Sequence, residues 1–165
     1  MIRIEVRRFA RWPGRHCNEA PGVSAVELLV VLAIVGTLAG VSVPAYRDHV
    51  LRANRGEARA ALLSLATAEE KFYLLCNTYT SALDAGSDTA CSPASLRFPA
   101  TSERGYYTLN VTAADPDGWT ATATAIATQR QNRDIRCRTF ELTSTGLKTA
   151  RNSGNVANDL ECWSR

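Results

Sequence analysis

The chain of 165 residues has little of what enzymes use. It holds two histidines, His16 and His49, and Met1 is its one methionine. A Ser/His/Asp or Cys/His centre in the body of the protein would have to be built on His49 alone, so no catalytic residue is expected. The GxxxxGK[ST] phosphate loop, the GxGxxG dinucleotide fingerprint and the HExxH pair are all missing, which excludes the common nucleotide-dependent and zinc-dependent enzyme classes. No CxxC knuckle occurs, so neither a metal centre nor any other cofactor is expected. The acids Asp84, Asp88, Asp115 and Asp117 sit in turn-rich stretches and read as backbone caps facing solvent, not as calcium ligands. A charge excess is missing too. The net charge is +3, from 19 Lys and Arg against 16 Asp and Glu, and residues 1–22 alone supply it through Arg3, Arg7, Arg8, Arg11 and Arg15 against Glu5 and Glu19. The remainder is electroneutral, so the sequence pI near 8.7 is no argument for a general nucleic-acid-binding surface.

What the chain does have is one long apolar run. From Val23 to Tyr46 there are 24 residues with a single charge, Glu27. As a helix this run would extend about 36 Å, enough to cross a hydrocarbon core of about 30 Å. It is too long for the apolar region of an ordinary secretory signal and continues into a helical pattern. Nor has a one-domain protein a core large enough to surround it. The arginines ahead of it favour an N-terminus held in the cytoplasm. Cysteine placement supports the same topology: Cys17 precedes the run, while Cys76, Cys91, Cys137 and Cys162 follow it, where an oxidising compartment lets them pair. Three connectivities are open to four cysteines. Spacing favours Cys76 with Cys91 and Cys137 with Cys162, because each pair brackets a Gly/Ser/Asn/Asp-rich stretch with no other visible restraint.

Gly22, a short apolar stretch, Glu27 as the fifth residue after that glycine, and the run ELLVVLAIVGTLAGVSVPAYRD together resemble the class III leader and N-terminal segment of type IV pilins and their pseudopilin relatives. The resemblance implies cleavage between Gly22 and Val23 by a prepilin peptidase and N-methylation of Val23 by the same enzyme. It also implies a role for Glu27 in docking subunits into a helical filament, by pairing with the Val23 amine of a neighbour. A carboxylate in hydrocarbon is costly, so a partner for Glu27 is expected on physical grounds as well. Gly36 and Gly40 form a small-xxx-small pair, and Pro44 removes one helical hydrogen bond. In the filaments of this family the matching glycine-to-proline stretch unwinds, which points to Gly36–Pro44 here. Two departures from the family pattern stand out: Val23 replaces the usual Phe or Met, and Pro21 stands where Lys or Arg is common.

Three parts follow from this reading: a leader at 1–22, a membrane and assembly helix at 23–50, and a soluble pilin domain at 51–165. Beyond Pro44 the apolar positions Val50, Ala58, Ala61, Leu62, Leu65, Ala68, Phe72 and Leu75 recur at three- and four-residue spacing, so one helix is expected to run to about Leu75, with Arg52, Arg55, Arg59, Glu69, Glu70 and Lys71 mostly on its outer face. Alternating residues predict strands over 105–113 and 119–126, joined by a hairpin turn at Asp115–Gly118. Further strands are predicted over 138–143 and near 147–149. The fold class is α+β: a long N-terminal helix packed on a roughly four-stranded antiparallel sheet. The tail from Cys137 through the Ser144-Thr145-Gly146 turn to Cys162-Trp163 is similar to that of PilE-type minor pilins and agrees with the Cys137–Cys162 pairing.

A local cluster adds a rival reading. Residues 129–138 carry Arg130, Arg133, Arg136 and Arg138 against Asp134, a candidate contact for DNA or for a neighbouring subunit. The function expected is that of a type IV pilus subunit, a minor pilin serving pilus assembly in twitching, adhesion or DNA uptake. The alternatives are a major pilin, a type II secretion pseudopilin, and a DNA-binding minor pilin for transformation. Expected partners are the prepilin peptidase, other major and minor pilins, an inner-membrane assembly platform and the membrane. The expected location is the inner membrane, soluble domain periplasmic, and then the pilus surface.

Overall fold

A computed structural model describes residues 22–83, 91 and 95–164. Residues 1–21 of the leader, with His16 and Cys17, and the turn acids Asp84 and Asp88 lie outside the described residues. Helix α1, Ala25–Cys76, runs for 52 residues with Pro44 inside it. The chain divides after Val41 into two units. In the first, every described residue is exposed. A helix that is apolar on all sides has no aqueous face to present, so this stretch requires lipid or other helices around it.

In the second unit, α1 buries Asn54, Arg55, Ala58, Leu62, Leu65, Glu69 and Phe72. Their spacing of one to four residues keeps them on one side of the helix. The apolar members match the stripe read from sequence, but two charges expected on the outer face are inside. Arg55 is buried against Asp134, and Glu69 accepts the Thr80 amide. At the far end Leu75, expected in the stripe, is 74% exposed.

Strands β1 (Tyr107–Asp115), β2 (Gly118–Ala125), β3 (Thr139–Thr143) and β4 (Lys148–Arg151) form an antiparallel meander in the order β1-β2-β3-β4. Alternation places Tyr107, Leu109 and Val111 of β1, Trp119, Ala121, Ala123 and Ala125 of β2, and Phe140 and Leu142 of β3 in the core with Ala58, Leu62 and Leu65 of α1. A register shift between Val111 and Ala113 turns Ala113 outward, where strict alternation had placed it inside; a bulge adds one residue and so reverses the facing. In the β1–β2 turn the Asp115 carboxylate accepts the amides of Asp117 and Gly118 at 2.8 and 3.0 Å. The β3–β4 turn needs Gly146, which has φ +81°, a conformation that side chains with a Cβ disfavour.

The chain end is held in three ways. A disulfide joins Cys137 to Cys162, and another joins Cys76 to Cys91. A short helix α2, Asp159–Trp163, which strand alternation gave no sign of, brings Trp163 edge-on to Phe140, itself edge-on to Tyr107. Finally, Arg59 of α1 donates to the carbonyls of Trp163 and Ser164.

Candidate functional site

Between β2 and β3 the chain makes a single 3₁₀ turn at Arg130–Arg133. Its core anchor is Asp134, 3% exposed. Arg55 grips this carboxylate with two parallel bonds, Nε to Oδ2 at 2.7 Å and Nη2 to Oδ1 at 3.0 Å. The buried Gln131 amide also donates to it, and to the Leu51 carbonyl of α1 at 3.2 Å. The backbone amides of Arg136 and Cys137 also donate to it. Burial alone would lower the Arg55 pKa, but the bonds and charge of Asp134, with Glu161, hold it above its ordinary value. Two-toothed pairing of this kind fixes geometry as well as charge.

Because the one acid of the turn points inward, its arginines face out. Arg130, Arg133 and Arg136 are exposed. Arg136 reaches Glu161 at 3.2 Å yet keeps 68% of its side chain in solvent. Glu161 is held below its ordinary pKa by the Asn158 amide first and by Arg136 second, so it stays ionised at neutral pH. Arg138 does not join this group. Its amide donates to Arg151 and its carbonyl accepts from Ala125, so it belongs to the sheet ladder; the side chain is half-buried. In its place α1 contributes Arg47 and Arg52, both exposed. They line two clefts that flank the turn, Arg47 one of about 870 Å³ and Arg52 one of about 310 Å³, with Arg133 lining both. Ile135 stands between Arg133 and Arg136 with 65% of its surface exposed.

Sequence reading singled out the turn but missed what aims it. Arg55, Gln131 and Asp134 are polar residues on a helix face or in a loop, the places where solvent is the default partner. The one available signal was the lone acid within a run of arginines. Of the residues expected to serve processing and assembly, Gly22 and Val23 are exposed just ahead of α1, and Glu27 lies in its first turn. Gly36 and Gly40 have nothing within 4 Å of a Cβ built on them. Among the described residues no group of three or more His, Cys, Asp or Glu could hold a metal ion.

A family model described as type IV minor pilin ComP, DNA uptake sequence receptor, matches residues 44–141, more than half of the chain. The chain belongs to this family of minor pilins. The minor pilin is also 34% identical over 94 residues to the type IV major pilin protein PilE1 of Neisseria gonorrhoeae, covering 57% of this chain and 40% of that one. It is 44% identical over 41 residues to a fimbrial protein of Moraxella nonliquefaciens, covering 25% and 27%. The minor pilin thus spans well under half the length of these curated relatives. Among solved structures, the non-core minor pilin PilV of Neisseria meningitidis superposes with a TM-score of 0.47 at 18% identity, covering 66% of this chain and 93% of that one. The family and the fold of the minor pilin are structural, not enzymatic. Its N-terminal helix is long and apolar enough to cross a membrane.

Proposed function

We propose that this minor pilin is a filament subunit that captures double-stranded DNA with the arginine face built from Arg130, Arg133 and Arg136 on the turn and Arg52 on α1. The observation that carries the reading is the inward Asp134: by pairing with buried Arg55 it leaves the turn cationic without an acid of its own at the surface. Guanidinium groups so arranged neutralise phosphates and release counterions, which makes binding steeply salt-dependent. The family's description as a DNA uptake sequence receptor supports the same reading. Ile135 offers an apolar contact among the arginines, the kind of side chain that meets a thymine methyl or wedges at a base step.

For this work the chain has to reach the filament. The leader is cut between Gly22 and Val23 by a prepilin peptidase, Val23 is methylated, and Glu27 pairs with the Val23 amine of a neighbouring subunit. An inner-membrane platform then draws the helix from the membrane, with the soluble domain periplasmic before assembly and at the pilus surface after it. The deciding experiment is filter binding of the full-length protein in detergent to duplex DNA across a salt series. Substituting Arg130, Arg133 and Arg136 by Gln is expected to weaken binding and to flatten the log K against log salt slope by about one unit for each phosphate left without its arginine. An unchanged slope would remove DNA from the reading.

A further inference from the structure

The larger cleft, about 870 Å³, is within the range of a small-ligand site, and all of its lining lies beyond Val41. One wall is α1, where Val43, Tyr46 and Val50 supply apolar surface and Arg47 a charge; the other is the turn, where Arg130 and Arg133 supply charge. No Asp or Glu lines it. Tyr46 is 70% exposed, and its phenol has no partner among the described residues.

We infer that this cleft holds the headgroup and upper acyl region of an anionic phospholipid while the protein is anchored in a bilayer. Two observations point to that occupant. The first is position along the chain: the uncharged stretch that ends at Tyr46 is the membrane anchor, so the cleft's first lining residues fall where the anchor meets the headgroups. Tyrosines collect at that depth, apolar ring inward and hydroxyl outward, and basic residues just beyond a membrane helix attract anionic lipid. The second is complementarity. A phosphodiester meets Arg47, Arg130 and Arg133, while glycerol and the first methylenes cover Val43 and Val50. Other occupants match one half only. The apolar helix of a second copy, Leu28–Val43, carries no acid to face three guanidinium groups, and a DNA duplex has no acyl chain for the apolar wall. The inference does not rest on DNA binding, for which Arg136 lies outside this cleft.

The test is native mass spectrometry of the full chain released from mixed micelles holding equal amounts of phosphatidylglycerol and phosphatidylcholine. The expected result is retention of phosphatidylglycerol by about tenfold over phosphatidylcholine. Arg130→Gln with Arg133→Gln brings that ratio close to one, while the Lys versions at both positions keep it. Arg136→Gln leaves lipid retention unchanged and weakens DNA binding, which separates the two readings. Equal retention of both lipids by the unaltered protein would overturn the inference, as would a preference that survives the paired Gln substitutions. Dimer ions that vanish with those substitutions, in place of lipid adducts, would also overturn it and assign the cleft to a second copy.

Discussion

Two buried charges of α1 behave in opposite ways. Arg55 has its counterion at 2.7 Å, whereas Glu69 has no counterion among the described residues and accepts the Thr80 amide at 3.3 Å. Removing the partner of a buried charge costs more than the pair contributed, because the survivor remains desolvated. Asp134→Asn is therefore expected to destabilise by about 3 kcal/mol, the low end of the usual range, since Glu161 stays 3.5 Å from Arg55; urea unfolding would show it. For Glu69, burial is the main cause of a pKa raised to about 7, with the Thr80 amide opposing it and Glu70 adding to it. An unfolded chain gives up this proton near 4.5. Across that window the native state binds more protons than the unfolded one, so stability falls as pH rises from about 4.5 to about 7 and stays lower above. Glu69→Gln is expected to flatten this fall and to raise stability at pH 8 by roughly 2 kcal/mol. Thermal melts of both proteins from pH 4 to pH 8 would check it.

The elements differ in how openly the residues declare them. The β1–β2 hairpin was legible because alternation and an Asp-Pro-Asp-Gly turn agree on a single register. The short β1–β2 and β3–β4 connections keep those strands neighbours, whereas the connection over 126–138, with the 3₁₀ turn inside it, leaves the β2–β3 pairing to the folded sheet. The inner face of β1 was legible only as far as Val111. Beyond it a bulge reverses the facing, and nothing local distinguishes a bulged Thr112 from a regular one. The polar members of α1 were misassigned because periodicity reads Arg and Glu as solvent-facing; their burial depends on Asp134, 79 residues away from Arg55, and on Thr80. Helix α2 is too short for periodicity to detect and stands on the Cys137–Cys162 closure and the Trp163 contact with Phe140. Opening that closure with Cys162→Ser is expected to lower stability by about 3 kcal/mol. It is also expected to loosen the arginine turn, since Cys137 lies three residues beyond Asp134, and faster amide exchange over 130–137 would report the loosening.

For the molecule as a whole, the chain divides after Val41 into two units. The described residues from Val23 to Val41 are exposed and find cover in lipid or in other helices. The Glu27 carboxylate has no hydrogen bond or ion pair among the described residues, so the assembly reading makes its partner a second subunit. Glu27→Gln is expected to leave cleavage after Gly22 intact and to abolish incorporation into fibres. Mass spectrometry of sheared fibres and of membranes would report both, and normal incorporation of the variant would refute the pairing. The sequence alone determined the long apolar helix, the strand alternation and the resemblance carried by Gly22, Glu27 and Pro44, because those depend on hydrophobic length, on period and on residues near each other in the chain. Tertiary structure decided which charges are usable. Only folding brings Arg55 to Asp134, and by drawing that one acid inward it converts a mixed-charge loop into an arginine face, with Arg47 and Arg52 added from a helix about 80 residues earlier.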